Sequence, residues 1–295
     1  MANIIDGKRI AQEIREEVAI EVQEIKKYGV HPHLTAVLVG DNPASHVYVR
    51  NKKKACEKAD ISAETIMLSD KITQEELTNI VQDLNENTKV HGILVQLPLP
   101  PAIDENQIIE MISPDKDVDG FHPINMGKLA SGMEDGFVPC TPAGIVELLM
   151  RTDHPPEGKH VVVVGRSNIV GKPLGLLLLR KNRKGNATVT LCHSRTQNLG
   201  SITSTGDILV AAIGRAEMIR REMVKPGAVV IDVGMNRVED STKPKGYRLV
   251  GDVHFPEVSE VAEAITPVPG GVGPMTIALL LKNTLTASKK SIEKR

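Results

Sequence analysis

Tryptophan is absent from this 295-residue chain, so intrinsic fluorescence reports binding poorly, and cysteine is scarce. Cys56, Cys140 and Cys192 stand far apart and form no CxxC pair, which argues against a disulfide framework and suits a reducing compartment. The nine histidines include no HExxH pattern, so no metal is expected. An excess of either charge is missing too: 36 Lys and Arg against 37 Asp and Glu leave a formal net charge of -1. That balance points to neither nucleic acid nor a membrane surface as partner, and any anion must be met by local residues. Long apolar runs are lacking; Val161 to Val164 is far too short to span a bilayer. The first ten residues already carry Asp6, Lys8 and Arg9 and do not read as a signal peptide, so a cytoplasmic location is expected.

The remainder, 41% hydrophobic and 25% charged, is ordinary for a folded chain that buries one large or two medium cores. Short β-branched runs alternate with amphipathic segments. The first half reads as a helix over 6–28, a strand over 33–39, a helix over 43–59 and a strand over 62–68. A helix over 73–87 opens on the capping box Thr73-Gln-Glu-Glu76. The strand over 90–96 is continuously apolar, as a parallel sheet covered on both faces requires. Leu97-Pro-Leu-Pro-Pro101 then stops regular structure, because proline fixes φ and removes an amide donor. Residues 113–142 read as a polar, glycine-containing stretch, 144–150 as a helix and 153–158 as a turn. Strands follow over 160–164, 187–193, 207–213, 228–233 and 248–253, then a closing helix over 275–290 and a frayed tail over 289–295. This alternation implies right-handed crossovers. The fold class is α/β: two α/β domains meeting near residues 140–150, the second a Rossmann-like doubly wound unit.

In that second half, Val161–Val164 runs into Gly165-Arg166-Ser167-Asn-Ile-Val-Gly171. A buried strand, a glycine turn and a helix aim free amides and the positive helix end at a pyrophosphate. Ser167 stands where GxGxxG has its second glycine; its hydroxyl can bond a phosphate, but its Cβ limits backbone approach. The pattern alone also suits a tight βα turn with no ligand. The next strand ends Thr190-Leu-Cys-His-Ser194-Arg195-Thr196. NAD-preferring sites usually carry an acidic residue there for the ribose diol. A hydroxyl and a guanidinium instead, with Arg166 as a second positive charge, favour the 2′-phosphate of NADP. The alternative is that Arg195 is a solvated loop charge. Gly234-Met235-Asn236 follows the 228–233 strand at the carboxyl edge, where ligands bind. Thr266-Pro-Val-Pro269-Gly270-Gly271-Val-Gly273-Pro-Met-Thr276 lacks the GK[ST] ending of an NTP loop and reads as a rigid backbone wall opening the last helix.

Three features of the first half can hold chemistry. Tyr48 and Lys52 are four apart and share a helix face with Cys56 and Ala59, while Lys53 and Lys54 point away. Lys52 is then the lysine to be desolvated, and desolvation favours a neutral, proton-shuttling amine. A solvated charge run is the competing reading. Gln96 ends a buried strand before the proline loop, as a rigidly held amide or as a loop cap. Asp115-Lys-Asp117-Val-Asp119-Gly120 begins like a calcium loop but has Met126 where the closing Glu belongs, so its carboxylates cap turns or bond ligand N–H groups.

Tyr48-x-x-x-Lys52, Gly92-Ile-Leu-Val95-Gln96-Leu97-Pro-Leu-Pro100, Pro114-Asp-Lys-Asp-Val-Asp119-Gly120, Pro139-Cys-Thr-Pro142, Gly165-Arg-Ser167 and Pro267 to Thr276 occur in order across nearly the whole chain. Together they resemble the bifunctional methylenetetrahydrofolate dehydrogenase/methenyltetrahydrofolate cyclohydrolase family. The resemblance implies a folate-binding catalytic domain of residues 1–143 with 275–295, an NADP-binding domain of 144–274, and a cleft between them. It implies oxidation of 5,10-methylenetetrahydrofolate by hydride transfer to NADP, then hydration to 10-formyltetrahydrofolate, in one-carbon metabolism that serves purine biosynthesis. Lys52 becomes the catalytic lysine, Gln96 tunes and positions it, Tyr48 lines the substrate site and Asp119 binds the pterin. Val95, Leu97, Pro269, Gly270 and Gly273 match further folate contacts. Gly165, Arg166, Ser167, Ser194 and Met235 match cofactor contacts; Thr276 lies near the nicotinamide, and Arg195 joins them from the charge argument. Tetrahydrofolate derivatives are the small-molecule partners, and a homodimer through the dinucleotide domains is expected. Residues 182–185 lengthen the approach to the second nucleotide strand relative to the family pattern. A dehydrogenase without cyclohydrolase activity, or a non-enzymatic NADP-binding module, remains the alternative.

Overall fold

The computed structural model describes residues 1–243 and 246–293. Its first half carries β1 (Asn3–Ile4), α1 (Gly7–Lys26), β2 (His33–Val39), α2 (Pro43–Lys58), β3 (Ser62–Leu68), α3 (Gln74–Glu86), β4 (Gly92–Val95), α4 (Glu105–Met111) and α5 (Pro123–Ala130). Then come α6 (Cys140–Arg151), β5 (His160–Val164), α7 (Gly171–Leu178), β6 (Thr188–Cys192), α8 (Leu199–Thr203), β7 (Ile208–Ala211) and β8 (Val229–Asp232). The chain ends with β9 (Asn236–Glu239), β10 (Tyr247–Val250), α9 (Phe255–Val258), β11 (Ala264–Ile265) and α10 (Val272–Glu293). It divides into two compact units, Met1–Ala11 with Thr141–Thr276, and Gln12–Cys140 with Ile277–Arg295.

The unit that begins at Gln12 is built on a parallel sheet ordered β3-β2-β4. Its central strand is β-branched and apolar and is buried along six of its seven residues, as a strand covered on both faces must be. One core cluster joins Val37, Val39, Ile93 and Val95 of the sheet to Leu77, Val81 and Leu84 of α3. α3 starts where the capping box requires: Thr73 Oγ1 accepts the Glu76 amide at 3.2 Å, and Glu76 Oε2 accepts the Thr73 amide at 2.8 Å. Asn42 caps α2 by accepting the amides of Ala44 and Ser45, with Pro43 as its first residue. The chain leaves β2 for β3 on one side and returns to β4 on the other. The carboxyl ends of β2 and β4 therefore flank a switch point, where open α/β sheets place ligands.

The other unit holds a six-stranded parallel sheet ordered β1-β11-β8-β7-β5-β6. Its switch point lies between β5 and β7. β5 and β6 run in register from His160↔Thr188 to Val164↔Cys192. Residues 182–185 do not disturb that register, because they close a turn on Arg180, whose carbonyl accepts the amides of Asn182 and Asn186.

Several expectations differ from the structure. Residues 1–11 do not belong with the first α/β unit, because β1 pairs with β11 at the edge of the six-stranded sheet. The 248–253 strand does not extend that sheet; β10 pairs antiparallel with β9 as a separate hairpin. The helix expected from 144 starts at Cys140. α4 and α5 lie where no helix was expected. Asp104 caps α4 through the amides of Asn106 and Gln107, and His122 Nδ1 caps α5 through the amide of Ile124. α10 continues to Glu293, through the first residues of the expected tail; Lys294 and Arg295 lie outside the described residues.

Candidate active site

α2 carries Lys52 to the carboxyl edge of the three-stranded sheet. Lys52 is buried at 6% exposure, whereas Lys53 and Lys54 are exposed, as the helical spacing requires. Its Nζ donates to Gln96 Oε1 at 3.1 Å and stands 5.5 Å from the centroid of the Tyr48 ring. Gln96 follows β4 directly, and its backbone amide donates to Val37 O at 2.9 Å, which continues the ladder past the strand's end. Its Nε2 donates to Leu97 O at 2.7 Å, so the amide presents its oxygen to the ammonium. Val95 is in the apolar core and Leu97 is half-buried beside it. The Leu97–Pro98 bond is cis.

Asp119 is half-buried. Burial raises its carboxyl above the usual range, Lys52 pulls it back down, and Asp117 adds to the rise. Burial, and then the Asp119 charge, raises the Tyr48 phenol, so Tyr48 remains a neutral donor. Asp117 is organised inward. Its Oδ1 accepts the amides of Gly120 and Phe121, and its Oδ2 accepts the His122 amide and Asn125 Nδ2. That turn fixes the backbone on either side of Asp119. On α10, Asn283 Nδ2 donates to Val118 O at 2.8 Å and to Val138 O at 3.1 Å. Burial holds the Cys140 thiol well above its ordinary range, which makes it a packed thiol rather than a nucleophile. Among the described residues, no group of three or more His, Cys, Asp or Glu could hold a metal ion.

In the other unit, Gly165 leaves β5 at φ +141°, and a Cβ there would stand 2.2 Å from Ala212 O. Only glycine fits so close to the β7 edge. Ser167 is partly committed to its own turn, with Oγ accepting the Val170 amide at 3.1 Å, and α7 follows from Gly171. Because Val164 pairs with Cys192, the loops carrying Arg166 and Ser194–Arg195 leave neighbouring strands at the same level, and all three side chains are exposed there. His193 shapes the second loop: its amide donates to Thr196 Oγ1, and its Nδ1 accepts the Arg195 amide. Met235 follows β8, and its Cε lies 3.3 Å from where a Cβ on Gly273 would stand. Pro269 follows a cis bond and is exposed, whereas Gly270 is buried. Thr276, near the start of α10, meets Thr141 with hydroxyls 2.9 Å apart.

Thr141, Asp117, Asn125 and Asn283 were not singled out as site residues from sequence. Thr141 and Asp117 lie within quoted motifs, so spacing could have found them. Asn125 bonds within its own stretch, to Asp117 eight positions away, but no motif marks it, and the partners of Asn283 lie 165 and 145 positions away.

Two family models match this chain. The catalytic domain of tetrahydrofolate dehydrogenase/cyclohydrolase covers residues 5–119, and the NAD(P)-binding domain of the same family covers 139–292. A curated relative from Brevibacillus brevis, Bifunctional protein FolD, is 61% identical over 289 residues, 98% of each chain. The crystal structure of a bifunctional methylenetetrahydrofolate dehydrogenase/cyclohydrolase from Campylobacter jejuni superposes with a TM-score of 0.93 at 47% identity, over 98% of this chain and 99% of that one. A Trypanosoma brucei methylenetetrahydrofolate dehydrogenase-cyclohydrolase, solved with NADP and an inhibitor, gives 0.92 at 42% identity, over 99% and 98%.

Proposed function

Since the chain belongs to the tetrahydrofolate dehydrogenase/cyclohydrolase family, we infer that it oxidises 5,10-methylenetetrahydrofolate with NADP and hydrolyses the methenyl product to 10-formyltetrahydrofolate. The observation that carries the hydrolytic half is the buried Lys52 ammonium held on the oriented Gln96 oxygen at a sheet switch point. A solvated lysine run would have no reason to bury one member.

The residues at the β5 edge fit a dinucleotide. The glycine turn and α7 offer amides to a pyrophosphate; exposed Arg195 stands in the loop after β6, where a NAD site would carry an acid, and exposed Arg166 stands in the neighbouring loop after β5. Arg166, Ser194 and Arg195 are assigned to the 2′-phosphate, Gly165 and Ser167 to the pyrophosphate, and Met235 and Thr276 to the nicotinamide end. NADP, when bound, accepts the hydride. For that step the chain supplies orientation rather than acid-base help.

Hydration needs more. Water adds to the methenyl carbon, the bond from that carbon to N5 breaks, N5 takes up a proton, and one proton is released overall. Lys52 Nζ is assigned to carry the proton, and Gln96 Oε1 holds it in place. Asp119 accepts pterin N–H groups, and Tyr48 packs beside the lysine. Val95, Leu97, Pro269, Gly270 and Gly273 are assigned to the substrate as the resemblance implies. A homodimer is expected on the same ground, and three free, buried cysteines accord with the cytoplasm.

Purified protein mixed with methylenetetrahydrofolate and NADP, with NAD in parallel, tests this by absorbance. Cofactor reduction with little methenyl build-up is expected. Methenyl accumulation would favour a dehydrogenase alone, and no reduction with either cofactor would overturn the reading.

A further inference from the structure

Behind the nucleotide edge lie two deeply buried carboxylates, Asp232 at 3% exposure and Asp252 at 0%. The hydrogen bonds they accept come from backbone amides and one side-chain amide. Asp252 Oδ2 accepts from the amides of Ile213 at 2.6 Å and Gly214 at 2.9 Å. Its Oδ1 accepts from Arg215 N at 3.0 Å and Asn236 Nδ2 at 2.9 Å. Asp232 accepts from the amides of Gly234, Asp252 and Val253. The backbone is tailored to this pair. A Cβ on Gly234 would stand 2.3 Å from Asp252 Oδ1, and one on Gly251 would stand 1.7 Å from Asp232 Oδ2. Burial pushes Asp232 up to about 7, and its three amide donors pull the other way.

The two loops held this way are those that frame the nucleotide. Residues 213–215 leave β7 at the switch point, and Asn236 adjoins Met235. The link to the glycine turn runs through one peptide group. Ile213 N–H points at Asp252, and in a trans peptide the Ala212 carbonyl points the opposite way. That carbonyl is the atom against which Gly165 closes.

We propose that Asp252 is a positioning residue for the nucleotide cofactor: it fixes the 212–213 peptide and so sets the height of the Gly165 turn, while Asn236 ties the Met235 turn to the same carboxylate. The proposal rests on the NADP reading above. It has a signature that separates it from phosphate recognition. A misplaced floor under the pyrophosphate weakens NADP and NAD by the same factor, whereas loss of a 2′-phosphate contact weakens NADP alone.

The test is calorimetric binding of NADP and NAD to Asp252→Asn, with hydrolysis of methenyltetrahydrofolate, which consumes no nucleotide, and thermal melting measured in parallel. Asparagine keeps one acceptor oxygen but turns an N–H group toward amide donors. The expected result is a loss of about tenfold or more for both cofactors, a raised KM for NADP in the dehydrogenase assay, and hydrolysis within about twofold of wild type. Unchanged Kd values, or a loss confined to NADP, would overturn the proposal, and so would equal losses of hydrolysis and binding, which mark general damage. If Asp252→Asn does not fold, Asn236→Ala decides. Weaker binding of both cofactors with intact hydrolysis supports the proposal, and unchanged binding overturns it. A wild-type protein that binds neither cofactor would instead refute the NADP reading itself.

Discussion

Lys52→Met exchanges a buried ammonium for an unbranched thioether beside Tyr48. Two opposed terms set its effect on folding. Half-buried Gln96 Oε1 loses its donor, which costs no more than the roughly 1–3 kcal/mol of a fully buried acceptor. Against that, an ammonium at 6% exposure no longer has to be stripped of water, a relief of several kcal/mol. The sum is small, and the melting temperature should move by no more than a few degrees. Chemistry should respond very differently. A positioned proton carrier contributes about 10²–10⁴-fold, or about 3–5 kcal/mol of barrier. Hydrolysis of methenyltetrahydrofolate should fall by that factor, toward the spontaneous rate. Hydride transfer, which moves no proton, should fall less. The assay is the decay of methenyl absorbance with and without enzyme, beside NADP reduction on methylenetetrahydrofolate. Hydrolysis at the wild-type rate in a folded Lys52→Met protein would refute the role of Lys52.

Three further outcomes are expected. Arg195→Ala should weaken NADP about tenfold or more through a lost charge-assisted contact and leave NAD nearly unchanged; equal losses in a direct binding measurement would refute it. Gly165→Ala puts a Cβ 2.2 Å from Ala212 O at a φ of +141°, where an L-residue is strained by about 1–3 kcal/mol; both nucleotides should bind more weakly while hydrolysis persists, and normal NADP affinity would contradict the close approach. Asp119 must be ionised to accept pterin N–H groups, and burial raises it above the ordinary 3.8. As pH falls through that raised value the carboxylate is protonated, so folate affinity should be lost at a higher pH than for an exposed aspartate. A binding profile that holds flat down to the ordinary value would count against this assignment.

The α/β class was legible from strand runs that need no partner to be recognised. β2, β3 and β5 were bounded to the residue, since β-branched runs bounded by turn residues encode their own ends. α3 was legible because its capping box is local chemistry. The four-residue spacing put Lys52 on the Tyr48 face, but the lysine run by itself favoured a solvated face; the fold buries Lys52 and pairs it with Gln96, forty-four positions away. α5 was hidden because its cap, a histidine ring, sits in the stretch that read as polar loop, and α4 is a seven-residue helix directly after the proline loop, too short for a clear period. β1 was too short for any periodicity; only its pairing with β11 makes it a strand. The 248–253 segment has strand composition, and composition cannot choose between a sheet and a hairpin.

By itself, then, the sequence determined which residue types stand at which local spacing: the glycine turn after β5, the arginine beyond β6 and the lysine on one face of α2. Tertiary structure decided which of them meet. Parallel strand order brings Gly165 against Ala212, and Asp252 reaches residues 213–215 from nearly forty positions away. Those contacts depend on crossovers and register, which are set by burying two whole cores at once rather than by any short run of side chains.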